Sequence, residues 1–374
     1  MTKTELAIIG GGQLARMMAQ PANALGIRTR LLAEGDDVSA AQVIRDYVVG
    51  SHLDLDDLKR AIADAPVVTF DHEHVPNQHL QALIDEGHEC RPGPHALLFA
   101  QDKLKMRQRL SELGIPCPRW TQVSSIEDVR EFGFPLVLKT ARGGYDGKGV
   151  WVIREETQAR DIIENADVEL LAEELVDFSR ELSAQVARSA SGEIVAYPVV
   201  ESRQENGVCA LVIAPAPNMD PTQANEASTI AVKVATQLDV VGMLAVELFE
   251  TNDGRILVNE LAMRPHNTGH WTIEGAATSQ FENHLRAVLD LPLGGAEARE
   301  DWAVMVNILG GSATDLVARR KVALAAEPNV HVHLYGKEVK AGRKVGHVTA
   351  TGNDLESVLA SARRSAELLT NEEN

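Results

Sequence analysis

The stretch AVELFETNDGRILVNEL (residues 245–261) decides the fold class, because it predicts a β-hairpin that carries paired acids. Its two strand-like halves flank an Asn-Asp-Gly turn at 252–254, which is a strong hairpin signal. Counting outward from the turn puts Glu260 one position away from the residue directly opposite Glu247. Two such close carboxylates are unfavourable without a cation between them, and hard oxygen ligands select Mg²⁺ held partly by substrate phosphates. We therefore predict a metal site at Glu247 and Glu260 with the Asn259 amide beside it; the alternative is two solvated acids on opposite faces.

A second predicted hairpin, upstream of the first, is rich in glycine and lysine. Strand-like segments at 136–139 and 150–153 bracket the stretch GGYDGKG (residues 143–149), which we call the lid segment. Its spacing is not that of a P-loop, but a glycine-rich hairpin can lay backbone N–H groups over phosphates as a mobile lid. Lys139 would then supply a fixed positive charge and Lys148 a mobile one. A surface hairpin without a ligand is the alternative.

The N-terminal part of the chain alternates between strand and helix patterns, which is typical of a parallel α/β sheet. Gly10, Gly12 and Ala15 follow the first predicted strand and fit the dinucleotide fingerprint G-x-G-x-x-G/A. Glu34 lies near the end of the second predicted strand, where an acid for an adenosine ribose would be. This permits a rival hypothesis, an NAD-dependent oxidoreductase. Any phosphate-bearing ligand can also use a helix N-terminus, and a ligand-free strand–helix turn is a further alternative.

The local patterns of strand, helix and turn residues divide the chain into three consecutive units of α/β or α+β class. A Rossmann-like domain is predicted over residues 1–100, where strand and helix patterns alternate. Hairpin signals then dominate residues 101–297, which contain the lid segment and the paired acids. Residues 298–374 are predicted to form a small β-rich C-terminal domain.

Composition excludes several classes of function. The net charge of −18 repels nucleic acid and anionic membranes, and an aromatic content of 4% leaves little for base stacking. No apolar run approaches the ~20 residues of a membrane span, and the N-terminus does not resemble a secretory signal. Cys90, Cys117 and Cys209 are odd in number and widely separated, which predicts reduced thiols in a cytoplasmic protein.

Four segments carry a resemblance to a known family. They are GGGQLARM (residues 10–17), GGYDGKG (residues 143–149), NELAMRPHNTGHWT (residues 259–272) and YGKEVKAGRKVGHV (residues 335–348). In order and spacing they resemble the ATP-grasp family, and within it the enzymes that carboxylate 5-aminoimidazole ribonucleotide in de novo purine biosynthesis. The resemblance covers essentially the whole chain. It implies an ATP-grasp fold with a pre-ATP-grasp N-terminal domain, the substrates ATP and bicarbonate, Mg²⁺ (or Mn²⁺ in its place), and a homodimer.

The resemblance also implies a nucleotide site. Lys103 and Lys139 would hold the ATP phosphates from two sides, the backbone of Glu173 and Val176 would read the adenine edge, and Glu181 would accept the ribose hydroxyls. Gln204 stands where the family has a histidine or a similar polar residue. The residues expected to contact ATP are Lys103, Lys139, Gly144, Tyr145, Asp146, Gly147, Lys148, Gly149, Glu173, Glu174, Leu175, Val176, Glu181, Gln204, Asn259 and Glu260.

The implied chemistry begins with phosphoryl transfer from ATP to bicarbonate, giving carboxyphosphate that can release CO2 beside the acceptor amine. Lys139 and the metal acids would neutralise the charge of this transfer. Arg264 and His266 directly follow the second metal strand, and a guanidinium suits a small planar anion such as bicarbonate. Asp146 is our candidate for the base that removes the amine proton, with Tyr145 beside it; as the alternative, Asp146 only forms a turn.

The acceptor carries a ribose 5-phosphate, and a basic cluster near the C-terminus resembles the family's grip on that phosphate. Residues from the N-terminal domain would contact the same nucleotide, and Glu73 matches an acid near the substrate site in many members. The residues expected to contact this substrate are Gly12, Gln13, Leu14, Glu73, Tyr145, Asp146, Lys337, Arg343 and Lys344. An exposed basic turn is the alternative for the last three.

Related ATP-grasp enzymes are the nearest alternatives in function. The formate-dependent glycinamide ribonucleotide transformylase and biotin carboxylase share the lid and the acid pair. The length of 374 residues and the segment RPHNTGHW (residues 264–271) favour the aminoimidazole enzyme. An oxidoreductase would account for the N-terminal glycines and Glu34 but for nothing after residue 100.

Overall fold

The computed structural model describes residues 4–144, 148–205 and 207–371, and these residues form three sheets. The N-terminal sheet is parallel, as predicted, with strands in the order β3-β2-β1-β4-β5. Its strands are β1 (Leu6–Ile9), β2 (Thr29–Ala33), β3 (Tyr47–Val49), β4 (Val67–Phe70) and β5 (Glu89–Cys90). Its helices are α1 (Gln13–Leu25), α2 (Leu55–Ile62), α3 (Asn77–Asp85) and α4 (Pro94–Gln101). β1 and β4 are buried along their whole length, which explains their continuous apolar sequence.

The second sheet is antiparallel and carries the described ends of the lid segment. Helix α5 (Lys103–Glu112) precedes it, after Asp102 has ended α4 and capped α5 by accepting the Lys105 backbone N–H. The strands lie in the order β6-β9-β7-β8 and one face packs against two helices. These elements are β6 (Trp120–Val123), α6 (Ile126–Phe132), β7 (Leu136–Thr140), β8 (Val150–Ile153), α7 (Glu156–Glu164) and β9 (Leu170–Glu174).

The third sheet is the largest and runs through the rest of the chain. Its order is β15-β14-β10-β12-β13-β16-β18-β17, with β11 paired to β10. The strands are β10 (Phe178–Arg188), β11 (Ile194–Ala196), β12 (Val200–Glu205), β13 (Val208–Ala214), β14 (Gly242–Thr251), β15 (Ile256–Ala262), β16 (Trp302–Leu309), β17 (His331–Leu334) and β18 (Lys344–Gly352). The helices are α8 (Pro221–Gln237), α9 (Thr272–Gly275), α10 (Gln280–Val288), α11 (Leu316–Ala326) and α12 (Leu355–Thr370). Because β16 pairs with β13, the proposed boundary near residue 298 does not separate two sheets.

Cys90 and Cys209 are buried, Cys117 is half-buried, and all three are free thiols. None of the described helices is both long and apolar enough to cross a bilayer.

Candidate active site

A cavity of about 1320 Å³ is lined by strands of the second and third sheets, by the start of α1 and by the loop after β4. Most of the residues predicted from the sequence to bind ligands line it. They are Gln13, Leu14, Glu73, Lys103, Lys139, Gly144, Glu173, Glu174, Leu175, Val176, Glu181, Gln204, Glu247, Asn259, Glu260, Arg264, His266, Lys337, Arg343 and Lys344. Tyr145, Asp146 and Gly147 lie outside the described residues, so the roles assigned to them stay predictions.

Glu247 and Glu260 lie directly opposite each other, whereas counting from the turn placed them one residue apart in register. The register shifts between Glu247 and Leu248 of β14, because β15 carries Asn259 as the extra residue of a β-bulge, and the shift makes Glu260 the direct partner of Glu247. Directly opposite residues of antiparallel strands share a face, so both carboxylates point to the same side of the sheet. The sequence count was wrong by one residue because it assumed uninterrupted pairing, and a bulge inserts one extra residue into a strand.

Each carboxylate of the pair has a cationic or imidazole partner. Lys103 Nζ lies 2.8 Å from Glu260 Oε1, and His266 Nε2 lies 3.2 Å from Glu247 Oε1. Burial raises the pKa of the Glu247 carboxyl, but the hydrogen bond from His266 and the nearby positive charges outweigh it and hold the pKa below its usual value. The Asn259 amide oxygen lies on the same strand end, 3.2 Å from Lys139 Nζ. This set of oxygen donors fits Mg²⁺ rather than a softer metal.

Lys139 is held by a buried ionic network that the sequence analysis missed. Glu173 Oε2 lies 2.8 Å from Lys139 Nζ, and Glu173 Oε1 accepts from Arg107 Nε at 2.6 Å. The Arg107 guanidinium is fully buried and also donates to the carbonyls of Val258 and Asn259 at 3.0 and 2.7 Å. Burial raises the pKa of Glu173, but Arg107 and Lys139 together lower it to about 2. The network therefore joins α5, β7, β9 and β15 around the Glu173 carboxylate.

Glu173 differs from its expected role in one respect. The resemblance assigned its backbone to the adenine edge, whereas its side chain is committed to the Arg107–Lys139 network. Arginine is almost never fully buried without a partner, so the burial of Arg107 identifies the network, but only the structure shows that burial. The neighbouring Glu174 accepts the Arg119 backbone N–H at 3.1 Å, and Leu175 is exposed at the cavity.

Glu181 and Gln204 lie on strands next to the acid pair. Glu181 and Glu247 are near neighbours on the adjacent strands β10 and β14. Burial and the Glu247 charge raise the pKa of Glu181 to about 7. Gln204 lies at a register shift of β12 and donates from Nε2 to Ser202 Oγ at 3.0 Å.

The lid segment is joined to β7 through the Thr140 N–H, which donates to the Gly149 carbonyl at 2.9 Å.

Arg264 and His266 lie in the segment after β15, and neighbouring groups orient both side chains. Arg264 Nε lies 3.3 Å from Glu73 Oε2, and Glu73 Oε1 also accepts the Met263 backbone N–H at 2.5 Å. His266 Nδ1 lies 2.9 Å from Thr268 Oγ1, and the His266 N–H donates to Gln280 Oε1 at 2.8 Å. Glu73 therefore connects the loop after β4 to the segment that carries Arg264, and it has a positioning role besides any contact with substrate.

The glycine turn before α1 is already occupied by carboxylates of the protein. The Gly11 N–H donates to Glu34 Oε2 at 3.0 Å. The N–H groups of Gly12 and Ala15 donate to the two carboxylate oxygens of Asp71 at 2.7 and 2.8 Å. Burial raises the pKa of Asp71 to about 6, against the lowering effect of these two N–H donors. A pyrophosphate cannot use the same donors, which removes the basis of the dinucleotide interpretation.

Asp71 was not identified from the sequence, although it follows the buried strand β4 and therefore lies at the carboxyl edge of the sheet. The next residue, His72, packs beside it, and burial lowers the pKa of His72 to about 3. Near these residues Lys337 contacts the Gln13 side chain, which connects the basic cluster to the start of α1. Arg343 donates to the Glu338 carbonyl at 3.4 Å.

Comparison with known proteins agrees with this geometry. Residues 2–101 match the ribonucleotide synthetase preATP-grasp domain, residues 108–281 the ATP-grasp domain, and residues 303–361 the phosphoribosylaminoimidazole carboxylase C-terminal domain. Together with the acid pair and the lysines around it, these matches define an ATP-grasp ligase.

Relatives of known name narrow the class further. The N5-carboxyaminoimidazole ribonucleotide synthase of Corynebacterium ammoniagenes is 50% identical over 98% of this chain and 92% of its own. The synthetase of Thermus thermophilus is 37% identical with a TM-score of 0.88 over 99% of both chains. The Aspergillus clavatus enzyme, solved with ADP and 5-aminoimidazole ribonucleotide, is 31% identical with a TM-score of 0.90 over 98% of both chains. The chain belongs to the family of N5-carboxyaminoimidazole ribonucleotide synthases.

Proposed function

We propose that this protein uses ATP and bicarbonate to carboxylate the exocyclic amine of 5-aminoimidazole ribonucleotide, giving the N5-carboxyamino product of de novo purine biosynthesis. The observation that carries the proposal is the convergence of three kinds of group in one cavity: the Glu247–Glu260 pair with its lysines, the Arg264–His266 pair, and the basic cluster at Lys337. The names of the relatives support it, and so does the Aspergillus clavatus complex with ADP and 5-aminoimidazole ribonucleotide.

ATP would lie between the second and third sheets. Lys103 and Lys139 would neutralise its phosphates, and the chain at 174–176 would border the base. Glu181 would accept hydrogen bonds from the ribose hydroxyls. Lys139 is well suited to this task because the Arg107–Glu173 network holds its ammonium group in place before the nucleotide arrives.

Glu247 and Glu260, with Asn259 beside them, would hold Mg²⁺, or Mn²⁺ in its place. The ion supplies charge neutralisation for the transferring phosphoryl group when bound. Lys103 and His266 now contact these carboxylates and would have to yield part of that contact to the ion.

Arg264 and His266 would orient bicarbonate. An oxygen of bicarbonate attacks the γ-phosphorus of ATP, forming one P–O bond as the bond to the β-phosphate oxygen breaks, and ADP leaves. The resulting carboxyphosphate loses phosphate to give CO2. The amine of the ribonucleotide then attacks CO2 and loses one proton to a base. We assign that base to Asp146, which lies outside the described residues.

The ribose 5-phosphate of the acceptor would lie against Lys337, Arg343 and Lys344, with Gln13 and Leu14 at the same end of the cavity.

We further propose a homodimer in the cytoplasm, on the family resemblance alone. Light scattering of the purified protein would test the dimer, because a monomer mass at micromolar concentration contradicts it.

The direct test is ADP release by the purified protein with Mg²⁺ and bicarbonate. We expect much faster release with 5-aminoimidazole ribonucleotide than without it. Formate plus glycinamide ribonucleotide serves as the matched control. Stimulation by this pair, with indifference to the aminoimidazole compound, would overturn the assignment in favour of the transformylase.

A further inference from the structure

A second group of potential metal ligands lies at the carboxyl edge of the N-terminal sheet, apart from the Glu247–Glu260 pair. Glu34 directly follows β2, His52 lies in the turn after β3, and His72 follows β4. Their ligand atoms all lie within 4.8 Å of one another. The topology explains why they meet, because the carboxyl ends of parallel strands form one edge of the sheet.

The Glu34 carboxylate is oriented towards this group. Its Oε2 atom accepts the Gly11 N–H at 3.0 Å, and its Oε1 atom lies 3.8 Å from His72 Nε2. A backbone donor on one oxygen leaves the other oxygen available and fixes its direction. Hydrogen bonds of this kind commonly orient ligands in metal sites.

His72 Nε2 is buried and has no hydrogen-bond partner among the described residues. Leaving a buried polar atom unsatisfied is costly, and a metal ion would satisfy it. His72 Nδ1 accepts the His74 backbone N–H at 3.2 Å. Metal binding at Nε2 requires the tautomer that is protonated at Nδ1. The weak hydrogen bond from the His74 N–H would therefore be lost when Nε2 binds the metal.

The imidazole rings lie close enough to act together. The ring centroids of His52 and His72 are 4.4 Å apart in an edge arrangement, and those of His72 and His74 are 5.3 Å apart. The His74 ring is 6.5 Å from that of His52 and its residue is exposed, so it can turn towards an ion held by the other groups.

We propose that Glu34, His52 and His72 bind a divalent transition-metal ion, with His74 as an available fourth ligand. Two or three imidazoles and one carboxylate that can surround one ion suit the tetrahedral coordination of Zn²⁺. They do not suit Mg²⁺, which requires oxygen ligands. The site uses none of the residues assigned to ATP or bicarbonate. Its ion would tie the loop after β4 to β2 and β3, and it would thereby restrain Glu73, the partner of Arg264.

The test is Zn²⁺ titration by calorimetry of untagged, chelator-treated full-length protein, with Mg²⁺ in excess as a competitor at the acid pair. We expect one equivalent of Zn²⁺, and at least about tenfold weaker binding in His52→Ala and in His72→Ala. His331→Ala removes an exposed histidine on β17 and serves as the matched control with unchanged binding. Visible absorption of bound Co²⁺ gives a second readout that reports nitrogen ligands directly.

Thermal unfolding without metal shows whether each variant is folded, and the half-exposed His52 is the safer of the two substitutions. Absence of stoichiometric Zn²⁺ binding to the wild-type protein would overturn the proposal. Binding of equal affinity in wild type, His52→Ala and His72→Ala would overturn it as well, because the ion would then lie elsewhere.

Discussion

Glu260 is the direct register partner of Glu247, because a β-bulge at Asn259 of β15 shifts the pairing of β14 and β15 by one residue. The bulge places both carboxylates on one face of the sheet, where Lys103 and His266 meet them. A one-residue slip would send one of the acids to the opposite face. The proposed metal site therefore depends on a local irregularity of the hairpin.

Removing either acid should abolish metal-dependent turnover. We expect Glu247→Gln and Glu260→Gln each to lower kcat/KM at least about 100-fold, because charge stabilisation of the transferring phosphoryl group is lost. Steady-state ADP release at several Mg²⁺ concentrations measures this. Glu131→Gln, an exposed acid on α6, is the matched control. Full activity in both site variants would rule out the pair as the metal ligands.

Arg107 should be essential for stability although it does not contact the proposed ligands. Arg107→Met leaves Glu173 buried with Lys139 as its remaining ionic partner, and breaking a buried ion pair costs about 3–5 kcal/mol of unfolding free energy. Arg109→Met on the same helix removes only an exposed pair with Glu112 and should cost less than about 1 kcal/mol. Urea unfolding of the two variants measures the difference. Equal losses would show that the Arg107 network does not stabilise the fold.

Nucleotide affinity should depend on pH through Glu181. Its pKa is raised to about 7, so the carboxyl is mostly protonated at pH 6 and mostly ionised at pH 8. Because the ionised form accepts better from ribose hydroxyls, ADP affinity should rise across this range by up to about tenfold more in wild type than in Glu181→Gln. Calorimetry at pH 6, 7 and 8 with both proteins separates this effect from titration of the ADP phosphate. Parallel pH profiles would remove Glu181 from the ribose site.

Substitution of Gly12, in the glycine turn before α1, should destabilise the protein, whereas substitution of Gly35, in the loop after β2, should not. A Cβ at Gly12 would lie 2.1 Å from Asp71 Oδ2, so Gly12→Ala must displace the carboxylate that caps the helix. We expect a loss of about 1–3 kcal/mol in unfolding free energy. Gly35→Ala is the control, because its nearest neighbour would be 3.8 Å away. A Gly12→Ala protein as stable as Gly35→Ala would show that the Asp71 contacts are dispensable.

Local patterns in the sequence were sufficient to predict the N-terminal sheet and the two hairpins of the site. Alternating strand and helix signals predicted the parallel N-terminal sheet, and turn residues located the two hairpins that carry the lid segment and the acid pair. Such signals are reliable because hydrophobic periodicity and turn chemistry act over a few residues. The specific segments after Asn259 and around Lys337 carried the resemblance to the family, which the comparisons confirmed.

The tertiary structure decided what depends on long-range packing. Arg107 and Asp71 could not be assigned from spacing, because their partners lie 66 residues away at Glu173 and 59 residues away at Gly12. The pairing of β16 with β13 joins the middle and C-terminal parts of the chain into one sheet. It too depends on contacts between residues far apart in the sequence. By itself the sequence determined the residue types that the chemistry needs and the elements that carry them. Burial, register shifts and pairing between distant strands then decided which of those groups meet, because these follow from how the sheets pack.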